Sequence, residues 1–195
     1  ILENAIRIGK GVIRYGSVAS YIPELAKADK NKLGICLYTI DGNQFETGNT
    51  EDRFTIQSIS KVMALCLALE TFGAEFVFEH VGVEPSGEAF NSLVELDNRS
   101  NRPFNPMINS GAITVASLLV NHYSIEDMQK YMQDVCEDPE IAVDEAVFQS
   151  EMATCARNKA IAYLLKSKEI IDTDVEDSVT FYTKMCSMSV NARDL

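Results

Sequence analysis

The sequence is poor in the groups that usually announce a function. Only two histidines, His80 and His122, occur in 195 residues, and neither has a second His or a Cys four positions away. A metal centre and a Ser-His-Asp triad both need a placed imidazole, so neither is expected. Five cysteines (Cys36, Cys66, Cys136, Cys155 and Cys186) lie far apart with no C-x-x-C pair. That pattern reads as free thiols in a reducing, cytoplasmic setting and argues against a zinc site or a disulfide framework. Basic side chains are also scarce, 17 against 29 acidic ones for a net charge of −12. A chain of that sign repels phosphate backbones and anionic lipid, so neither nucleic acid nor membrane is an expected partner. The longest apolar run, Val62 to Leu69, falls far short of the roughly 20 residues of a membrane span. No stretch resembles a signal peptide, and residue 1 is Ile, consistent with a native start further upstream.

What is present is ordinary globular material, 46% hydrophobic and 24% charged, enough for a sizeable core. Residues 2–14 carry an amphipathic helical pattern, and a short helix is expected over 20–28 with Pro23 in its first turn. The period then shortens. Leu33 to Ile40 is apolar and β-branched, Asp41-Gly42 is a turn signal, and Gln44 to Thr47 reads as the returning strand. Beyond this hairpin the pattern predicts helices over 58–72, 75–81, 110–121, 125–138, 144–149, 151–166 and 174–188, with no further strand. Ser124 and Asp174 are the expected helix caps. A lone hairpin is marginal in water, which favours further strands beyond residue 195. Ser189 to Leu195 reads as a cap and the first turn of another helix.

The chemistry-bearing segment is Ser58-Ile59-Ser60-Lys61, which leads into the apolar run. A helix hydrophobic on every side is buried, so Ser58 and Lys61, three apart at its start, sit on one face at the edge of a core. Burial and the positive helix end both disfavour an ammonium, so the Lys61 pKa is expected to fall. A neutral Lys beside a hydroxyl can take its proton, which activates Ser58 as a nucleophile, and the helix start offers N–H groups to an oxyanion. On spacing alone, Ser58 reads equally as a helix cap and Lys61 as a solvated first-turn residue.

The surrounding motifs bear on this choice. Val18-Ala19-Ser20-Tyr21-Ile22-Pro23-Glu24-Leu25, Phe54-Thr55-Ile56-Gln57-Ser58-Ile59-Ser60-Lys61 and Val81-Gly82-Val83-Glu84-Pro85-Ser86-Gly87 follow one another along the chain. Asn105-Pro106-Met107-Ile108-Asn109-Ser110-Gly111-Ala112-Ile113 and Phe148-Gln149-Ser150-Glu151 with Arg157-Asn158 come after them. In this order they resemble the serine-dependent glutaminases, which share the fold of serine β-lactamases and penicillin-binding proteins. The resemblance implies an α+β, β-lactamase/transpeptidase-like domain over 1–195, with helices and a hairpin in 1–57 and a mainly helical part in 58–188. It implies hydrolysis of L-glutamine to L-glutamate and ammonia without a cofactor. Ser58 would be the nucleophile, Lys61 the general base, and Tyr21 a hydroxyl over the nucleophile. Asn109, Glu151, Asn158 and Tyr182 match glutamine-binding positions.

Glu151 and Asn158 are seven apart, close to two helical turns, and so can face one site. A carboxylate suits the α-ammonium of an amino acid, and Asn109, at the start of a buried helix, is placed to donate to its α-carboxylate. Family members continue for roughly another hundred residues, with a second catalytic tyrosine, a K-[ST]-G strand and a second oxyanion donor, and no K-[ST]-G occurs here. The 195 residues are therefore expected to be a C-terminally truncated part of the enzyme, inactive or partly unfolded alone. Relatives form dimers or tetramers, and some respond to phosphate. The competing readings are another β-lactamase-like serine amidase and a non-catalytic helical interaction module.

Overall fold

Helix α3 (Asn109–Val120) organises the helical part. Its residues 109–117 and Leu119 are buried without a break. Such a helix needs neighbours on every side, and it packs on α2 (Ser60–His80), α6 (Ala156–Ser167) and α7 (Val175–Cys186). Residues 1–87, 89–91 and 102–195 are described by the computed structural model. The core between these helices is filled by Ala68, Ile113, Leu119, Met128, Met132, Ile161, Leu165, Val179 and Met185. The remaining helices are α1 (Leu2–Val12), α4 (Ile125–Cys136) and α5 (Glu145–Thr154). No described helix is long and apolar enough to cross a membrane.

Helix starts obey local chemistry. Ser124 and Asp127 form a reciprocal capping box at α4, and Asp174 accepts from the amides of Glu176 and Asp177 at α7. The two helices expected over 58–72 and 75–81 are one element, α2, interrupted at Gly73 with φ 78° and ψ 159°. Only glycine takes that backbone without steric cost.

The hairpin is as expected. Antiparallel β1 (Gly34–Tyr38) and β2 (Gln44–Gly48) pair from Gly34 opposite Gly48 to Tyr38 opposite Gln44, and α1 packs against both. Three expectations are corrected. The region after the hairpin does contain strands: β3 (Phe54–Thr55), β4 (Ala142–Val143) and β5 (Met188–Val190) form an antiparallel sheet in the order β3-β5-β4. Elements of two or three residues are too short for an alternating pattern to register. Residues 20–28 hold only a single 3-10 turn, Leu25–Lys27. The residue before Pro23 is biased away from helix, and Ile22 is instead buried, 1% exposed, beside the cleft described below. Finally, α5 ends at Thr154 and α6 begins at Ala156, so the helix boundary lies at Cys155 rather than at Ser150.

The small sheet matters because it ties the residues before Ser58 to the end of α7. Phe54 and Thr55 pair with Val190 and Ser189, and the Ile56 amide donates to Met188 O at 2.8 Å. Arg53 clamps all of it, donating to Ser189 O at 3.0 Å and pairing with Asp138 at 2.5 Å and Glu140 at 3.1 Å. After β5, Asn191 and Asp194 form the expected cap-like turn, with the Asn191 amide donating to Asp194.

The close packing of α3 gives a test. A Cβ at Gly111 would stand 2.0 Å from Asn105 O, a backbone atom that has no rotamer to escape into. Gly111→Ala is expected to destabilise the protein by at least about 2 kcal/mol, read as a lower urea midpoint with an unchanged slope.

Candidate active site

One cleft of about 410 Å³ gathers side chains from α3, α5, α6 and α7 and from the segments that carry Tyr21, Ser58 and Phe90. Ser58 lies in the 3-10 turn Gln57–Ile59 that precedes α2, and its side chain is exposed to the cleft. Lys61, in the first turn of α2, is 3% exposed. Tyr21 enters from the irregular segment before Leu25, Asn109 from the start of α3, Glu151 from α5, Asn158 from α6 and Tyr182 from α7, and all five line the cleft with Ser58.

The second serine of Ser58-Ile59-Ser60-Lys61 has a different position. Ser60 is fully buried, donates to Gln57 O at 2.6 Å and meets Cys186 Sγ at 3.4 Å. Of the pair, only Ser58 can reach a molecule in the cleft.

Lys61 donates to Met107 O at 3.0 Å and to Asn109 Oδ1 at 2.8 Å. Its ammonium also stands 5.5 Å from the centre of the Phe90 ring. Burial lowers the Lys61 pKa, the direction expected from sequence. No hydrogen bond joins Ser58 to Lys61 among the described residues. A neutral amine has two N–H groups, and the two acceptors account for both, which leaves its lone pair free.

The Asn109 carbonyl oxygen faces Lys61 and accepts from it, and the Asn109 amide nitrogen donates to Asn158 Oδ1 at 3.0 Å. Tyr182 donates to the same Asn109 oxygen at 3.5 Å. Burial pushes the Tyr182 phenol well above its ordinary range. The side-chain oxygen of Asn109 is thus committed to Lys61, while the Asn158 amide nitrogen has no protein partner among the described residues.

Glu151 is 8% exposed, and its Oε2 is buried with no hydrogen-bond partner among the described residues. Desolvation raises its pKa from 4.5 to about 7. A buried carboxyl without a partner is costly, and it marks a place where a cation can be received. Glu151 and Asn158 do not share a helix, since the chain turns at Cys155 between them. The seven-residue spacing argument is therefore wrong in its reason, although both side chains reach the same cleft.

The same burial pushes the Cys186 thiol up to about 12, so it is an inert wall of the cleft. Sequence reasoning assigned no role to Gln57, Ser60, Phe90, Thr154, Arg157 or Cys186. Gln57 and Arg157 stand beside singled-out residues in the quoted motifs, and that adjacency was the available signal. No group of three or more His, Cys, Asp or Glu side chains among the described residues is arranged to hold a metal ion.

Comparison with known proteins bears on this cleft. The glutaminase family model matches residues 16–195. Glutaminases of Alkaliphilus oremlandii and Clostridium tetani are 43% and 44% identical over the whole chain, which spans 65% of the length of each. A crystal structure of a probable glutaminase from Bacillus subtilis superposes with a TM-score of 0.86 at 33% identity, covering 99% of this chain and 60% of that one. The same Bacillus subtilis protein complexed with 6-diazo-5-oxo-L-norleucine gives 0.84, and a structure of Mglu in its tris and glutamate form gives 0.88. The helices and small antiparallel sheets are the α+β, β-lactamase-like architecture of these neighbours. On a match that runs from Gly16 to Leu195, the chain belongs to the glutaminase family.

Proposed function

We propose that this chain carries the nucleophile and the amino-acid receptor of an enzyme that hydrolyses L-glutamine to L-glutamate and ammonia. The observation that carries the reading is the buried Glu151 Oε2, without a hydrogen-bond partner among the described residues, in the same cleft as Ser58. An α-ammonium would supply the missing partner and release the proton that burial has kept on Glu151. The amide nitrogen of Asn158, which has no protein partner among the described residues, suits the α-carboxylate, and Asn109 keeps a second N–H beyond the one it gives to Asn158.

With the amino-acid end held there, the side-chain amide is presented to Ser58. Lys61 takes the hydroxyl proton on its free lone pair while Ser58 Oγ attacks the amide carbon. The tetrahedral intermediate collapses as Lys61 passes that proton to the leaving nitrogen, which yields ammonia and a glutamyl ester on Ser58. Water, deprotonated by the same amine, cleaves the ester to glutamate and restores Ser58. Tyr21 and Tyr182 supply hydroxyls to the cleft. The five free thiols support a cytoplasmic setting. Exposed Ile8, Val12, Leu37 and Phe45 on α1 and the hairpin suit a homo-oligomer, dimer or tetramer.

Two experiments on the full-length protein test this. Ser58→Ala is expected to reduce ammonia release from glutamine by a factor of about 10⁴ or more with the fold intact. Unchanged turnover would reject the Ser-Lys mechanism. Release from asparagine or simple amides in preference to glutamine would point instead to a different serine amidase.

Glu151 should act oppositely on activity and stability. Its folded pKa of about 7 lies above the ordinary 4.5, so the protonated form is the one that folding favours. That contribution is present below about pH 4.5 and is lost as pH rises through about 7, leaving a cost of about 3 kcal/mol above it. Glu151→Gln is therefore expected to raise the melting temperature at pH 8 and leave it little changed at pH 4. It should also raise KM for glutamine at least tenfold, by about 1.4 kcal/mol of lost ammonium pairing. In the unaltered enzyme, kcat/KM should fall below about pH 7 as Glu151 takes up its proton. A variant with unchanged KM would remove Glu151 from the receptor.

A further inference from the structure

Three non-glycine residues have positive φ among the described residues: Gln57, Glu137 and Glu169. Glu137 and Glu169 lie at or just beyond the C-terminal ends of α4 and α6, where left-handed backbone is an ordinary helix stop. Gln57, with φ 49°, stands at the opposite kind of place, one residue before Ser58 at the entry to α2. Such a conformation persists only where the surroundings enforce it.

The enforcement is visible in its contacts. Gln57 O accepts from the buried hydroxyl of Ser60 at 2.6 Å. Gln57 Nε2 donates to Thr55 Oγ1 at 3.0 Å, and Thr55 is itself fixed by its pairing with Ser189. Gln57 Oε1 accepts from the Tyr21 hydroxyl at 3.1 Å. That last bond is the hydroxyl's sole hydrogen bond among the described residues. Tyr21 is 66% exposed and sits outside any helix or strand, so this bond is what fixes where its phenol points among the described residues.

We propose that Gln57 is a positioning residue that holds the Tyr21 hydroxyl beside Ser58. One amide group links the tyrosine to the backbone that carries the nucleophile, so any movement of one is transmitted to the other. With its proton directed to Gln57 Oε1, the phenol oxygen turns its lone pairs to the cleft and receives N–H or O–H groups there. The proposal deepens the glutaminase reading above and rests on it for the reaction concerned, but the contact itself is testable without turnover.

The test is a double-variant cycle in the full-length protein, with Gln57→Met removing the acceptor at similar length. Gln57→Met is expected to lower kcat for glutamine about tenfold, the scale of one lost hydrogen bond, with KM changed less than about twofold. In a Tyr21→Phe background it should cause no further loss, and Gln57→Glu, which keeps an acceptor, should retain most of kcat. Losses that multiply in the double variant overturn the proposal, as does a Gln57→Met enzyme with unchanged kcat. Should Gln57→Met fail to fold, Gln57→Ala enters the same cycle.

A second readout uses 3-fluorotyrosine, with the Tyr21 ¹⁹F resonance identified by its loss in Tyr21→Phe. A shift of that resonance in Gln57→Met supports the contact, and an unmoved one overturns it. If the unaltered enzyme releases no ammonia from glutamine, it is the functional reading that fails, and the resonance alone then decides whether Gln57 holds Tyr21.

Discussion

The arrangement depends on one side-chain amide. Asn109, at the first residue of α3, accepts from Lys61 of α2 and Tyr182 of α7 and donates to Asn158 of α6. Four helices are thereby fixed in register at one end. A buried polar network of this kind rigidifies when every member is satisfied and is costly when one is not. The helices could pack through their apolar faces in several rotations, but only a narrow set keeps Lys61 bonded after its burial. The core supplies most of the stability, and Asn109 selects which packing it stabilises.

The β3-β5 pairing does the same work from the other side. It joins the residues leading to Ser58 with those leaving α7, so that Ser58 and Tyr182 are held by backbone hydrogen bonds and not by side chains alone. Arg53 secures that sheet through carboxylates from the segment between α4 and β4. Ser58 therefore stands on a junction of helix and sheet. Tyr21, arriving on an irregular segment, is the member of the cleft with the weakest support of its own.

Much of this was legible in the residues, and the failures have physical causes. The hairpin followed from Asp41-Gly42 between apolar runs, the caps from Ser124 and Asp174, and the lowered Lys61 pKa from a polar group opening an apolar helix. The break between α5 and α6 was misplaced because no Gly or Pro marks it. Instead Thr154 bonds back to Ser150 O and Glu151 O, and Cys155 to Met152 O, contacts made by residues that fit a helix interior as well. The two-residue strands were invisible because their existence depends on a partner far along the chain, which no local period reports. The bond from Lys61 to Asn109 was hidden in the same way: the side chain suits a substrate carboxylate, and only the fold reveals that its oxygen also accepts from a buried lysine.

Burial acts on the two ionisable partners of the cleft in opposite directions. It lowers the Lys61 pKa and raises that of Glu151, so each group holds its charge less readily than in water. Each shift alone would be a stability cost without return. Together they make the site respond to the charge of its occupant. Under the proposed function, an amino acid would bring an ammonium that ionises Glu151, and the new carboxylate would raise the proton affinity of groups around it, Lys61 included. Lys61 would then be strengthened as a base only with the ammonium in place. A neutral amide without an α-ammonium would leave Glu151 protonated and gain none of that, which would make recognition of the ammonium a condition for proton transfer at Ser58. The net charge of the whole chain would have no part in this, because a zwitterion would be discriminated within the cleft.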